Sequence, residues 1–259
     1  MFELALEPTT WALLCAVALA AGFIDAIAGG GGLLTVPALL TAGLPPHLSL
    51  GTNKLAASFG SLTASFTYYK KQLFKPSFWL ASILATAIGA MLGTLLVDRL
   101  SIEFLNKLIP IIIIAVAIYS LVGKLSPTES HHLPNKTTGL KVKQWLQGLA
   151  LGFFDGMAGP GTGTFWTASN SMLYKMSLLI NCGLARSMNF VSNFISLITF
   201  VALGHVNFLL GVTMGLFLML GAWLGAHSAI KFGNKLIKPL FNVVVIALAG
   251  KLIVEAYFS

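Results

Sequence analysis

Eight apolar runs punctuate the chain, at residues 10–28, 48–67, 78–97, 108–122, 145–158, 178–202, 206–230 and 240–256, with short polar stretches between them. Apolar residues within these runs are near-continuous and do not alternate, which predicts helices in apolar surroundings and argues against a β-barrel. Crossing the hydrocarbon core of a bilayer takes ~20 apolar residues of helix, and most runs reach or approach that length. The expected fold is therefore an all-α integral membrane protein with about eight long hydrophobic helices, and its first partner is the lipid bilayer.

Two interruptions break the pattern. The first run ends in four consecutive glycines at 29–32, followed by a short apolar piece to residue 44 and then Pro45-Pro46. The fifth run ends in Gly159-Pro160-Gly161-Thr162-Gly163. These places are equivalent under an internal repeat. Gly22-Phe23-x-Asp25-x-x-Ala28-Gly29-x-Gly31 matches Gly152-Phe153-x-Asp155-x-x-Ala158-Gly159-x-Gly161 at an offset of 130. At an offset of 132, Gly51 meets Gly183, Lys54 meets Arg186, and Gly89-Ala90-x-Leu92-Gly93 meets Gly221-Ala222-x-Leu224-Gly225. Asn106-Lys107-Leu108-Ile109 matches Asn234-Lys235-Leu236-Ile237 at 128. Such self-similarity in order along the chain marks a duplication: a first transmembrane repeat at 1–125, a linker at 126–142 rich in Pro, Ser, Thr, Asn and His, and a second transmembrane repeat at 143–259.

Charge decides the orientation of the repeats. Only 9% of the 259 residues are charged, against about 25% in a soluble domain, so no water-facing domain is expected. If the short piece after each glycine break turns the chain back, as a re-entrant hairpin or a broken element, the basic residues separate. Lys70, Lys71, Lys75, Lys124, Lys136, Lys141, Lys143, Lys175, Lys231, Lys235 and Lys238 fall on one side, and Arg99, Lys107 and Lys251 on the other. Eleven against three is a positive-inside signal. It predicts inverted repeats, a cytoplasmic linker, and both chain ends outside the cell membrane. The net charge of +8 thus reads as lipid orientation and not as nucleic-acid binding. The opening MFELALEP has two glutamates and no basic residue, unlike a signal peptide, so the first run is expected to be retained. Cys15 and Cys182 lie inside apolar runs and read as small buried side chains.

Candidate chemistry gathers at the breaks. Glycines that interrupt a membrane helix expose backbone groups that lipid cannot satisfy, so such a break belongs inside protein or against a watery cavity. Paired breaks in an inverted duplication point to a substrate site between them, and the helix N-termini that follow suit an anion. Gly29, Gly30 and Gly31 in the first break and Gly159, Gly161 and Thr162 in the second are candidate substrate contacts. Asp25 and Asp155 each precede a break by four residues. A carboxylate there costs ~2.5–3.5 kcal/mol on insertion scales, which suggests a coupling group for a proton or cation, or a cap for loop N–H groups. Lys54 and Arg186 are basic residues within apolar runs. They either hold an oxyanion, with Thr52, Asn53, Asn189 and Asn193 beside them, or pair with the two aspartates. His47, His205 and His227 are scattered and read as structural, and no nucleophile cluster, metal set or Walker motif appears. The chain is expected to be no enzyme and to need no cofactor.

These segments resemble a known family. GFIDAIAGGGGLLTVPALL, followed by LPPHLSLGTNKLAASFG, is similar to the TauE/SafE membrane transporters and closely to their YfcA-like branch. Arg186-Ser-Met-Asn189-Phe190-Val-Ser192-Asn193 resembles the family pattern KxxNFxSN, with Arg in place of Lys. The resemblance spans essentially the whole chain. It implies secondary transport of a small anion, namely sulfite, a sulfonate or a related sulfur compound, by alternating access between the broken helices. The alternative from the residues is a cation or metal-ion transporter with Asp25 and Asp155 as ligands.

Overall fold

A computed structural model describes residues 6–109, 111–112, 133–233 and 235–237. The apolar run at 240–256, most of that at 108–122, and the linker histidines His131 and His132 lie outside the described residues. The described residues are helical, with no strand among them. The helices are α1 (Pro8–Ile27), α2 (Gly32–Thr41), α3 (Pro46–Lys70), α4 (Leu80–Asp98), α5 (Thr138–Met157), α6 (Thr162–Tyr174), α7 (Leu178–Ala202) and α8 (Phe208–Phe232). Residues 102–109 are helical as well.

Local chemistry sets these boundaries. Pro8 and Pro46 open α1 and α3, where a missing N–H costs nothing. Thr137 and Asn207 cap α5 and α8, accepting from Leu140 N and Leu210 N, each at 3.1 Å. Helix α5 begins seven residues before the fifth apolar run, because its first turns carry Lys141 and Lys143 on an exposed face and Gln144 and Gln147 on a buried one. Gln147 is satisfied by Asn170 (2.8 Å), Ser169 (2.7 Å) and the Tyr174 hydroxyl (2.7 Å), so hydropathy alone placed the start too late.

α1, α4, α7 and α8 are long and apolar enough to cross a membrane. The shortest, α4, has 19 residues, which at 1.5 Å per residue gives ~28 Å, close to the ~30 Å hydrocarbon core. Leu84, Ile88 and Leu95 of α4 and Leu209, Leu216 and Leu220 of α8 are exposed, a surface that suits lipid and not water. The interior is polar by contrast. α3 buries Ser49, Thr52, Asn53, Lys54, Ser58 and Ser61, and α7 buries Asn181, Arg186, Asn189, Ser192 and Asn193.

Close packing at small residues fixes the helix directions. Gly148 lies against Ala85 and Ser82, Gly152 against Thr86, and Gly156 against Ala90, so α4 and α5 run the same way. Gly221 meets Leu19 and Gly225 meets Phe23, while Gly211 meets Leu55 and Gly215 meets Phe59. α1, α3 and α8 are thus co-directional. α7 opposes α3, since Lys54 reaches Asn193, Ser65 reaches Ser187 and Gly51 lies by His205. α7 runs with α4, through Thr86–Met188 and Asp98–His205. Because α1 and α3 share a direction, residues 28–45 must return the chain to the end where α1 began. Residues 158–177 do the same between α5 and α7.

His47 and His205 are not scattered. Their rings stack at 5.2 Å between centroids, and His205 Nε2 lies 2.8 Å from Asp98 Oδ1. Tertiary packing brings the start of α3, the end of α4 and the α7–α8 turn together. Cys182 is buried, donating to Ile27 O at 3.3 Å, whereas Cys15 is only partly buried on α1.

A Cβ at Gly156 would overlap the Ala90 carbonyl on α4. Gly156→Val is expected to destabilise the purified protein by about 1–3 kcal/mol or more through overpacking, seen as a lower Tm in detergent. Gly139→Ala, whose nearest neighbour is Thr137 Oγ1 at 3.9 Å, should leave Tm unchanged or raise it.

Candidate functional site

The two glycine breaks touch. A Cβ on Gly29 would lie 2.6 Å from Thr164 N, and one on Gly32 would lie 3.2 Å from Pro160 Cα. Gly29 has φ +86 and Gly161, at the start of α6, has φ +81, a region that L side chains rarely adopt. Backbone-to-backbone approach and left-handed turns together explain why glycine stands here in both halves of the chain.

Two crossed ion pairs surround the contact. Lys54, from α3, donates to Asp155 Oδ1 (2.9 Å), to the Asp155 carbonyl (2.6 Å) and to Asn193 Oδ1 (3.2 Å). Arg186, from α7, donates to the Asp25 carbonyl and, at 3.0 Å, to the Gly163 carbonyl, with its Nη1 3.6 Å from Asp25 Oδ1. Each base thus closes the carbonyl end of the broken helix from the other half of the chain, where the helix dipole is negative. Both bases are buried, and a buried charge requires such partners.

The two acids differ. Asp155 accepts from Lys54 and from Thr162 Oγ1 (3.1 Å) through Oδ1, and from Ser192 through Oδ2. Its side chain is 4% exposed, against 22% for Asp25. Asp25 Oδ1 caps the Gly31 N–H at 3.0 Å, so one candidate role, acceptor across the break, is filled. The rest of the Asp25 carboxylate faces a cavity.

That cavity is lined by both breaks and by α1, α3 and α7, against the middle of α7. Asp25, Asn53, Asp155, Thr162, Asn189 and Asn193 contribute side chains, and Gly30, Gly31, Gly32, Gly159, Gly161 and Gly163 contribute backbone. Its enclosed part has about 30 Å³ of room for the centres of water-sized molecules, enough for waters or an ion of few atoms. The N–H groups of Gly30, Gly32, Gly161 and Gly163 donate to no protein acceptor among the described residues. The side-chain oxygen of Asn189 is buried and likewise has no partner among them.

Four residues singled out in the sequence stand behind the cavity wall. Lys54 and Arg186 are turned into their ion pairs, Gly29 is spent on the contact with α6, and the Thr52 hydroxyl accepts from Asn207 N at 3.0 Å. Of the two roles that the sequence left open for the bases, anion ligand or partner of an aspartate, pairing with the aspartates is the arrangement found. Other residues escaped notice. Ser192 bonds Asp155, Thr35 on α2 bonds Asn53 Oδ1 at 2.6 Å and lines the cavity, and Ser61 lines it as well. Ser192 sat in view between Asn189 and Asn193. Ser61 had a weaker signal, as the repeat counterpart of Asn193 at an offset of 132. Thr35 carried no signal, lying in a short apolar piece.

Comparison with known proteins bears on what such a bundle does. No solved structure matches the chain significantly. A probable membrane transporter protein of a Sinorhizobium species is 38% identical over 245 residues, covering 94% of this chain and 92% of the relative. One from Haemophilus influenzae is 36% identical, with 94% of each chain covered. The Escherichia coli protein named probable membrane transporter protein YfcA is 34% identical over 97% of this chain and 92% of its own length. The family model described as sulfite exporter TauE/SafE matches residues 14–252, a span that holds both glycine breaks, both ion pairs and every lipid-length helix beyond the first turns of α1. With lipid-facing helices around a polar, glycine-lined centre, and relatives matched over nearly their full length, this chain belongs to the TauE/SafE family of multi-pass membrane transporters.

Proposed function

We propose that the protein is a secondary transporter of a small anion, either sulfite, a sulfonate or a related sulfur oxyanion, by alternating access at the cavity between the two broken helices. The observation that carries this reading is the set of glycines at the two breaks, Gly30, Gly32, Gly161 and Gly163, which line one cavity and whose N–H groups meet no protein acceptor among the described residues. Such donors and dipole ends favour negative charge. The two acids and two bases cancel, so attraction for the anion comes from these amides. Asn53, Thr162, Asn189 and Asn193 orient it. The family description supports the sulfur class, and the small cavity fits an ion of few atoms.

Lys54 and Arg186 act from behind, holding the breaks open toward the cavity by occupying their carbonyl ends. Asp25, with part of its carboxylate on the cavity, is the coupling group for a proton or cation. Asp155 is a structural partner of Lys54, since both its oxygens are bonded. The cation-transport reading keeps Asp25 as a ligand but has little left of Asp155.

Alternating access here rests on two inverted repeats, 1–125 and 143–259, joined by a cytoplasmic linker at 126–142. Helix directions support this: α1 and α3 run one way with α4 reversed, and α5 and α7 run the other way with α8 reversed. By these directions Lys70, Lys71, Lys75, Lys136, Lys141, Lys143, Lys175, Lys231 and Lys235 share one end of the bundle, opposite Arg99 and Lys107. That end faces the cytoplasm of a cell with this protein in its inner membrane.

Sulfite is expected to raise the Tm of the purified protein, and Asn189→Ala to weaken its binding about tenfold or more, the loss of one hydrogen bond to a charged group. Asp25→Asn should keep anion binding while transport into vesicles loses its dependence on a proton or sodium gradient. Stabilisation by a cation but by no anion, abolished in Asp25→Asn, would put the cation reading first. Arg186→Gln is expected to cost about 3–5 kcal/mol of stability by stranding Asp25, and adding Asp25→Asn should restore part of it. For orientation, a membrane-impermeant thiol reagent applied to cells expressing Cys15→Ser variants should label Ser101→Cys and spare Gln72→Cys; the reverse pattern refutes the topology.

A further inference from the structure

Outside the central cavity, a groove of about 550 Å³ lies between α3 and α8. Leu62, Phe66 and Trp223 form its apolar wall, with Lys70, Lys71 and His227 at one end. Lys70 Nζ sits 4.5 Å above the Phe66 ring centroid, which holds the ammonium over the groove. His227 Nδ1 donates to the Trp223 carbonyl at 2.8 Å, which fixes the ring beside the groove, and Nε2 donates to a phosphate when the ring is an imidazolium. Phe66 and Trp223 are more than half exposed.

We infer that this groove binds one anionic phospholipid, its phosphate between Lys70, Lys71 and His227 and its upper acyl chains along Leu62, Phe66 and Trp223. Two observations point to a lipid. First, the groove has an apolar floor leading to a basic, aromatic end, which matches the gradient from acyl chain to headgroup at a membrane interface. Second, the repeat-equivalent surface between α7 and α4 lacks the polar decoration. At the offset of 132, Lys70 becomes Ala202, Lys71 becomes Leu203, Trp223 becomes Met91 and His227 becomes Leu95, whereas Leu62 and Phe66 keep apolar counterparts in Phe194 and Ile198. One groove of a duplicated pair has therefore gained a headgroup site, at the lysine-rich end of the bundle. The described residues of the following segment, Leu236 and Ile237, pack with Ala64, Tyr68, Ala226 and Ala229, on a different face of α3 and α8, so they do not fill it.

The inference rests on the lysine-rich end meeting an anionic leaflet, which the thiol-labelling experiment reads separately. Full-length protein reconstituted in vesicles with brominated phosphatidylglycerol should lose Trp223 fluorescence, taken as the difference from Trp223→Phe, at lower lipid fractions than with brominated phosphatidylcholine. Lys70→Gln and Lys71→Gln should each weaken the preference about fivefold, the equivalent of ~1 kcal/mol per basic residue at an anionic surface, and Arg99→Gln should leave it intact. Both lysines are exposed, so the folded bundle survives their loss, and high salt should erode the preference in the unaltered protein. Equal quenching by the two lipids, or a preference unchanged in the double lysine variant, overturns the proposal. So does a dimer on native mass spectrometry that shields Trp223 from both lipids.

Discussion

Each buried cation among the described residues, Lys54 and Arg186, is bonded to the carbonyl end of a helix that belongs to the other half of the chain. Lys54 of α3 closes α5, and Arg186 of α7 closes α1. A helix that stops inside a membrane leaves up to four carbonyls without partners, and lipid offers them none. A lysine or arginine can satisfy those carbonyls, but an unpaired cation would itself be intolerable in that setting. The aspartate in the last turn of each broken helix resolves both problems at once. It neutralises the base that satisfies its helix end, and in the first half it also caps the N–H of Gly31 across the break.

This arrangement explains why the breaks come in pairs and why they touch. Each half supplies the cation that the other half needs, so neither break is satisfied until the two halves are packed together. The exchange leaves the facing helix starts only partly filled, with the Gly31 N–H capped by Asp25. The carbonyl ends are occupied by side chains, whereas the N–H groups of Gly30, Gly32, Gly161 and Gly163, residues that line the cavity, meet no protein acceptor among the described residues. A cavity whose charged groups are mutually satisfied and whose free donors are backbone amides is the feature on which the proposed anion site rests.

The surrounding helices serve that centre in two ways. Glycine seams let α1 lie on α8 and α4 lie on α5 at backbone contact. The outward faces carry leucine, isoleucine and phenylalanine and leave the polar residues to α3 and α7. Polarity is thus arranged inside out relative to a soluble domain, and the two helices with the most buried polar groups are those that bear the cations.

The sequence by itself determined the class of molecule and the positions of the breaks, and its self-similarity set Asp25 beside Asp155 and Lys54 beside Arg186 as candidate equivalents. Hydropathy run length is a one-dimensional quantity that lipid thickness makes decisive, and a duplication can be read by sliding the chain on itself. What only the tertiary structure decided is which acid meets which base. Partners in the two pairs are 101 and 161 residues apart, and nothing in local pattern says whether a cation turns to a substrate, to the interface or to a carboxylate. That choice depends on packing that places α3 against the end of α5 and α7 against the end of α1. Thr35 was hidden for the same reason, since a hydroxyl in an apolar helix acquires a role only from what the fold sets 3 Å away. The difference between Asp25, partly open to the cavity, and Asp155, closed off by three donors, is likewise a product of packing, because in the sequence the two stand in the same motif.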